Sequence, residues 1–313
     1  MLGYVIRRIL LAIPTALGVL TVIFIVMRIA PGDPAEVILG EYASQEAVEA
    51  LRKELGLDQP LWKQYVDFVG GLFKGDLGKS PINGQSVSLL VARSLPYSLE
   101  LSLAGIGLGV LFGLPMGILA AVRRNSFFDY ASRVFSLLGL SFPTFYLGIL
   151  LLLLFGIKLN LFPVVGGGDL SNIADNLYHL FLPALTMGLI MMAYVSRMAR
   201  SSILNVLNED YVKTARAKGL RERVVLYKHV LKNALIPIVS IVGVYSVVLI
   251  GGTIMVELVF SRPGMGKMMI GAMKQRDYIT IQSLMVIYAG LVIIVNLLTD
   301  LTYGFIDPRI KYD

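Results

Sequence analysis

The sequence predicts an all-α polytopic membrane protein of six transmembrane helices, with a small helical extracytoplasmic domain between the first two spans. Three observations carry that expectation. Only 16% of the residues are charged and 56% are apolar, at a mean hydropathy of +0.73, whereas soluble domains carry about 25% charged residues. Apolar runs recur at the length of about 20 residues that a helix needs to cross about 30 Å of hydrocarbon. Lysine and arginine are concentrated at alternate ends of those runs, which is the distribution that marks cytoplasmic loops.

The first span covers residues 9–30, behind Arg7 and Arg8. It runs into Pro-Gly-Asp-Pro-Ala-Glu rather than a small-residue cleavage site, so it reads as a retained helix and not a signal peptide. Residues 31–96 form the extracytoplasmic segment. There Ser44 is a candidate N-cap for a helix carrying Val48, Leu51 and Leu55, and Leu61, Tyr65, Phe68 and Leu72 repeat the helical spacing after Pro60. Two amphipathic helices follow, free to lie on the membrane or against the bundle. Gly75 and Gly78, flanking Asp76, mark a turn.

The remaining spans are residues 97–122, 134–157, 178–199, 235–257 and 281–304, within a core of 97–304, and 305–313 form a short tail. Pro14, Pro115, Pro143 and Pro183 fall inside spans, where bundled helices tolerate them as packing kinks.

Orientation follows from the basic residues. Arg7 and Arg8, then Arg123, Arg124 and Arg133, then the segment 197–232 with nine Lys/Arg against three Asp/Glu, define one side as cytoplasmic. Residues 31–96, with nine acidic and six basic residues, fall outside, as do 158–177. Both termini are then cytoplasmic. The loop 261–280 is discordant: Arg262, Lys267, Lys274 and Arg276 face Asp277 alone, yet six spans place it outside.

Several chemistries are excluded. The chain has no cysteine, so it has no disulfide, thiolate metal site or cysteine nucleophile. Its two histidines, His179 and His229, fall on opposite sides of the membrane, and no His-Glu-x-x-His occurs. Gly139-Leu-Ser141-Phe142 lacks the second glycine of a serine-nucleophile turn, so Ser141 reads as a packing hydroxyl. Residues 262–267 end like a phosphate loop but lack its first glycine and its Ser/Thr, and read as a tight turn. No catalytic residue, bound metal or nucleic-acid partner is expected, and any ATP that drives the protein binds another subunit. Arg28, Glu100, Glu257 and Asp300 lie near span ends, where they can reach the interface or pair locally. Asn296 and Asp300, one turn apart, suggest a polar seam; with Ser141 and Glu100 they are the candidates for a translocation path. No mid-membrane carboxylate or histidine relay appears, which counts against the alternative of an ion-gradient-driven secondary transporter.

The most informative stretch is the polar island within the cytoplasmic loop 200–234. Asn208 and Asp210 supply helix-start chemistry, and a short helix through Tyr211, Ala215 and Lys218 is expected to end at Gly219 in a left-handed cap. Such a helix is too short to be stable alone and needs a partner surface. The run Tyr211-Val-Lys-Thr-Ala-Arg-Ala-Lys-Gly219-Leu220, followed by Lys228-His-Val-Leu-Lys-Asn-Ala-Leu-Ile-Pro237, resembles the cytoplasmic loop of ABC importer permeases, above all the dipeptide/oligopeptide permease family. Lys213-Thr214-Ala215 stands where the wider superfamily has Glu-Ala-Ala, and His229-Val-Leu-Lys232 where it has Ile-x-Leu-Pro; both are typical of the peptide branch. Pro31-Gly-Asp-Pro34, Leu55-Gly-Leu-Asp-Gln-Pro-Leu61, Gly75-Asp-Leu-Gly78, Gly251-Gly-Thr253 with Glu257 and Phe260, Pro263-Gly-Met-Gly266, Arg276-Asp-Tyr278 and Asp307-Pro-Arg-Ile310 agree along nearly the whole chain. Arg262 takes the place of a tryptophan frequent in the family.

The resemblance implies the type I ABC importer permease fold in a bacterial-type inner membrane. It also implies a homologous second permease, two ATP-binding subunits that hold ATP and magnesium, and an extracytoplasmic solute-binding protein. Glu209, Asp210, Tyr211, Thr214, Ala215, Ala217, Lys218, Gly219 and Leu220 would form the coupling helix that docks on an ATPase. Its substrates would be dipeptides, longer peptides, glutathione, nickel chelates or related solutes, moved by alternating access.

Overall fold

A computed structural model describes residues 2–29, 34–40 and 43–306. The start of the Pro31–Pro34 motif and the tail motif from Asp307 lie outside the described residues. Among the described residues the chain is helical, with one isolated bridge between Lys79 and Ser86. In order, the helices are α1 (Leu2–Ile29), α2 (Pro34–Leu39), α3 (Gln45–Glu54), α4 (Leu61–Phe73), α5 (Val87–Val122), α6 (Phe127–Ser141), α7 (Thr144–Leu151), α8 (Ile173–Leu207), α9 (Asp210–Ala217), α10 (Glu222–Val224), α11 (Leu231–Val259), α12 (Met265–Gln275) and α13 (Tyr278–Ile306). A π-helical turn, Leu152–Lys158, extends α7, and a second, Val225–Val230, fuses α10 to α11.

Five helical stretches are long and apolar enough to cross a membrane: Gly3–Ile29, Val87–Val122, Ile173–Leu207, Glu222–Val259 and Tyr278–Gly304. The expected span 134–157 is different. It is a pair of helices bent by 106° between Ser141 and Thr144. Proline explains the break: Pro143 offers no N–H and drives the residue before it out of the helical region, and Phe142 is extended at φ −91, ψ 131. At this position the expected kink is a full break.

The packing shows that the bent pair crosses once. The centre of the bundle is the contact of α5 with α8, along a glycine every fourth residue: Gly105, Gly109, Gly113 and Gly117. A Cβ at Gly105 would lie 2.7 Å from Met187, at Gly109 2.3 Å from Met191, and at Gly117 2.6 Å from Ala199. Without side chains on one face the backbones approach closely, the usual way lipid-embedded helices associate. Both numbers rise together along this seam, so α5 and α8 are parallel. The chain between them must therefore return through the full height of the bundle. It does so against α8, with Ser132 beside Ser196, Gly139 beside Ala193 and Gly148 beside Thr186. Counting the pair as one, the described chain has six spans.

Other contacts set which ends meet. α1 runs antiparallel to α13, with Arg8 paired to Asp300 at 2.7 Å and the Tyr4 hydroxyl donating to the Asp300 carbonyl. Gly243 on α11 packs against Thr299 of α13. The start of α1, the ends of α5, α8 and α13, and the start of α11 thus share one end of the bundle. All three basic regions, Arg7–Arg8, Arg123–Arg133 and 197–232, lie at that end.

At the opposite end sit α3, α4 and α12. Ser44 caps α3, accepting from the Ala47 N–H at 3.3 Å. α4 packs on α1 through Tyr65 and Phe68, which meet Phe24, while Gln64 accepts from Arg28 at 2.8 Å. The turn after α4 uses Gly75 (φ +73) and Gly78 (φ +82), and Asp76 accepts from the Gly78 N–H at 2.8 Å. The loop 261–280, expected as a tight turn at residues 262–267, turns there and then folds into α12, which packs on α5, α11 and α13.

Candidate functional site

The loop between α8 and α11 builds a compact surface at the basic end. α9 starts at Glu209, whose extended backbone (φ −68, ψ 145) makes it the N-cap. The sequence favoured Asn208 and Asp210 for that role. Asn208 instead ends α8 and donates its side-chain amide to the Leu204 carbonyl, and Asp210 is already in the first turn. There the Lys213 ammonium, 2.8 Å away, holds the Asp210 carboxyl below the usual carboxylate range. The negative charge also suits a helix N-terminus.

The C-terminal cap is the expected one. Gly219 has φ +77, its N–H donates to the Arg216 carbonyl at 2.9 Å, and the Leu220 N–H donates to the Ala215 carbonyl at 3.4 Å. This double closure leaves two fewer orphan carbonyls. Arg216 also reaches over the turn to Glu222 at 2.9 Å.

What the helix shows and hides follows from its periodicity. Val212 and Ala215, three residues apart, are buried against the bundle core. Glu209, Asp210, Tyr211, Thr214, Ala217, Lys218, Gly219 and Leu220 are exposed. Ala215 is therefore a seat for the helix and not part of its outer face. Sequence reasoning passed over two further parts. Asn233 on α11 donates to the Tyr211 hydroxyl at 2.7 Å and to the His229 carbonyl at 3.1 Å. Val212 is the second buried anchor. A lone Asn just before an apolar run was the only available sign of the first. Beside α9, Leu220, Val224 and Tyr227 are exposed apolar side chains among the basic residues.

The same end is braced by Asp129 of α6, which is wholly buried. It accepts from Arg200 at 2.5 and 2.9 Å and from the Asn125 N–H at 2.9 Å, with Arg133 at 3.6 Å. This clamp fixes the α5–α6 turn onto α8 just before the loop that carries α9.

The residues picked for a translocation path do not converge. Glu100 is at the end of the bundle opposite α9, in contact with the buried Arg262, and accepts from Asn176 Nδ2 at 2.7 Å. Arg262 also donates to the Gly167 carbonyl at 3.2 Å. Asp300 is paired with Arg8 at the α9 end, one turn from the exposed Asn296. Ser141 ends α6 and donates to the Leu137 carbonyl at 2.8 Å. It adjoins a cavity of about 180 Å³ at the α6–α7 break, lined by Phe142, Pro143, Thr144, Tyr194, Tyr245 and Val248 among others.

Residues 113–312 match the family described as binding-protein-dependent transport system inner membrane component, and residues 1–102 match its N-terminal region. The di/tripeptide transport system permease protein DppB of Pseudomonas aeruginosa (strain UCBPP-PA14) is 41% identical over 100% of this chain and 99% of its own. The oligopeptide transport system permease protein AppB of Bacillus subtilis (strain 168) is 40% identical over the whole of both chains. The glutathione transport system permease protein GsiC of Escherichia coli (strain K12) is 39% identical, again over the whole of both. Among solved structures, the MetNI methionine ABC transporter in an inward-facing conformation aligns with a TM-score of 0.55 at 17% identity, over 70% of this chain and 97% of that one. That likeness establishes the fold as that of ABC importer permeases. The chain belongs to the family of binding-protein-dependent transport system inner membrane components, as a multi-pass permease subunit of the inner membrane.

Proposed function

We propose that this chain is one of two permease subunits of an ATP-driven importer of di- or oligopeptides or related small solutes. It pairs with a homologous second permease, takes solute from an extracytoplasmic binding protein and is powered by two ATP-binding subunits, which hold the ATP and magnesium. No cofactor is assigned to this chain. The α9 end, with both termini, is cytoplasmic, and the segment 31–96 is an extracytoplasmic cap. The substrate class rests on relatives named for di/tripeptide, oligopeptide and glutathione transport.

One observation carries the reading. α9 is capped at both ends, seated on the bundle through Val212 and Ala215, and tied to α11 through Tyr211 and Asn233, while its outer face is left open. A helix of eight residues is not stable by itself, so its order depends on the bundle and a partner can move the bundle by moving it. We assign Glu209, Asp210, Tyr211, Thr214, Ala217, Lys218, Gly219 and Leu220 to the face that meets an ATP-binding subunit. Resetting a two-state bundle from 1:99 to 99:1 takes about 5.5 kcal/mol of differential binding, and a rigid α9 transmits that bias where a frayed one would not. Glu100, Asn296, Asp300 and Ser141 remain candidates for the solute path, together with the cavity at the α6–α7 break.

The test is purification from the native membrane in mild detergent, then reconstitution in liposomes. The reading expects a second permease and two ATP-binding chains to accompany this one, with solute uptake that requires ATP. Recovery of the chain alone, still moving solute on an ion gradient, would make it a secondary transporter.

A further inference from the structure

Four basic residues in the loop 261–280 sit at the end where few are expected, and the fold accounts for one of them. Arg262 is fully buried and satisfied by Glu100 and the Gly167 carbonyl. The other three are exposed. Lys267 donates to the Ser261 carbonyl at 3.2 Å at the start of α12, and Lys274 and Arg276 lie at its far end.

α12 stands on the bundle and points away from it. Its first residue, Met265, donates through its N–H to Ser98 Oγ at 2.8 Å, and Met268 lies by Ser94. Met265 and Met269 share a buried cluster with Val87 and Val91. As α12 advances, α5 recedes toward its own N-terminus, so the C-terminal tip of α12 is level with the first turn of α5. That tip is Met273, Lys274, Gln275 and Arg276, all exposed. Beside it runs the strand-like segment before α5: Ser80 donates to Asp277 Oδ2 at 2.5 Å, the Val87 N–H donates to the Gly78 carbonyl, and Lys79 between them is exposed. Asp277, at the centre, is buried and already accepts from Ser80, Thr280 Oγ1 and the Thr280 N–H. Among the described residues, Lys79, Lys274 and Arg276 have no carboxylate within ion-pairing distance.

Arg276 adopts the left-handed conformation (φ +54) at a cap where glycine is the unstrained choice. The position therefore carries a side chain at a conformational cost, and that side chain projects into solvent with two further cations. The base of α12 is as firmly held as its tip. Glu257, at the end of α11, accepts from Ser98 Oγ at 2.6 Å and from the Lys267 N–H at 3.1 Å. Force on the tip therefore reaches α11, whose other end holds Tyr211 of α9.

We propose that Lys79, Lys274 and Arg276 form a docking tip for an acidic surface of the solute-binding protein. The inference rests on the proposed importer reading and adds to it the place and charge of the contact. A rigid, cationic, solvent-facing tip suits a partner that arrives by diffusion, because complementary charge speeds encounter and makes affinity salt-dependent.

The experiment uses the assembled transporter in nanodiscs with its own binding protein, and reads binding-protein affinity and ATPase activity with and without that protein. The double change Lys274→Glu with Arg276→Glu should weaken binding at least tenfold at low salt, with the difference shrinking as salt rises. ATPase activity without the binding protein should be unchanged. Arg276→Gly, which relieves the left-handed strain and keeps the cap, should still lose affinity severalfold. Unchanged affinity and salt slope in these variants would overturn the proposal. So would variants that respond only to the anionic lipid content of the nanodisc, which would give the tip to the membrane surface. Failure of the importer reading itself would appear earlier, as a chain that assembles with no ATP-binding subunit.

Discussion

Asn233 of α11 donates to the hydroxyl of Tyr211 on α9 across 2.7 Å, and the same amide donates to the His229 carbonyl at 3.1 Å. The bond joins an eight-residue helix to one end of a continuous 38-residue helical stretch, Glu222–Val259. Glu257, near the other end of that stretch, holds the N–H of Lys267 on α12. One long element thus touches both the loop assigned to the ATP-binding partner and the base of the helix that carries the proposed docking tip.

Tyr211→Phe removes that bond and keeps the ring. A hydrogen bond of this kind contributes about 0.5–1.5 kcal/mol, so solute-dependent ATPase activity should fall by about two- to tenfold. Assembly and membrane insertion should be normal. Asn233→Ala should give the same phenotype, and the double variant should add little to either single one. Additive losses would show that the two residues act separately.

Gly219 and Ala215 fail for different reasons. Gly219→Ala meets open space but keeps a positive φ, which costs an L-residue about 1–2 kcal/mol; Gly219→Asn should be milder. Gly219→Pro also removes the N–H that closes on Arg216. Ala215 is buried, so Ala215→Leu should overpack the seat by about 1–3 kcal/mol and lift α9 from the bundle. All but the Asn variant should lower ATP-driven uptake in proteoliposomes while the protein still reaches the membrane in normal amount. Wild-type uptake by both the Pro and Leu variants would remove α9 from the mechanism.

The α5–α8 seam tolerates no side chain. Gly109→Ala would place a Cβ 2.3 Å from Met191 and should lower the thermal midpoint of the detergent-solubilised complex, by about 1–3 kcal/mol of overpacking. Gly251→Ala, where nothing lies within 4 Å of the new Cβ, should leave this chain's own packing unaffected.

Arg262 and Glu100 should behave as a unit. Removing one partner of a buried pair leaves the other charge uncompensated, at about 3–5 kcal/mol. Arg262→Met or Glu100→Gln alone should therefore reduce stability more than the two together. A double variant worse than either single one would contradict the pairing.

Local signals were legible and long-range ones were not. Ser44 as a cap, Gly219 as a left-handed stop, the glycine turn around Asp76 and five straight spans each depend on neighbours in sequence, and the structure has them. The break at Phe142–Pro143 was visible as a proline but not as a 106° bend, because the angle depends on α8, which packs on both arms, and on α11, which packs on α7. α12 was missed because a sequence rich in glycine and methionine reads as loop until α5 and α13 bury it. Arg262 looked like a stray loop charge because Glu100 lies 162 residues away. The small side chain of Ala215 suggests close approach without saying by what, and in the structure it is the bundle that approaches.

Crosslinking tests most directly whether the outer face of α9 meets an ATP-binding subunit. The chain has no cysteine, so Lys218→Cys gives its only thiol, on the exposed face of the cap. In the purified complex, a thiol-directed crosslinker at that position should join this chain to an ATP-binding subunit, with a yield that changes when ATP is added. Lys274→Cys, at the opposite end, should give no such product. A complex that crosslinks equally from both positions, or from neither, would contradict the account.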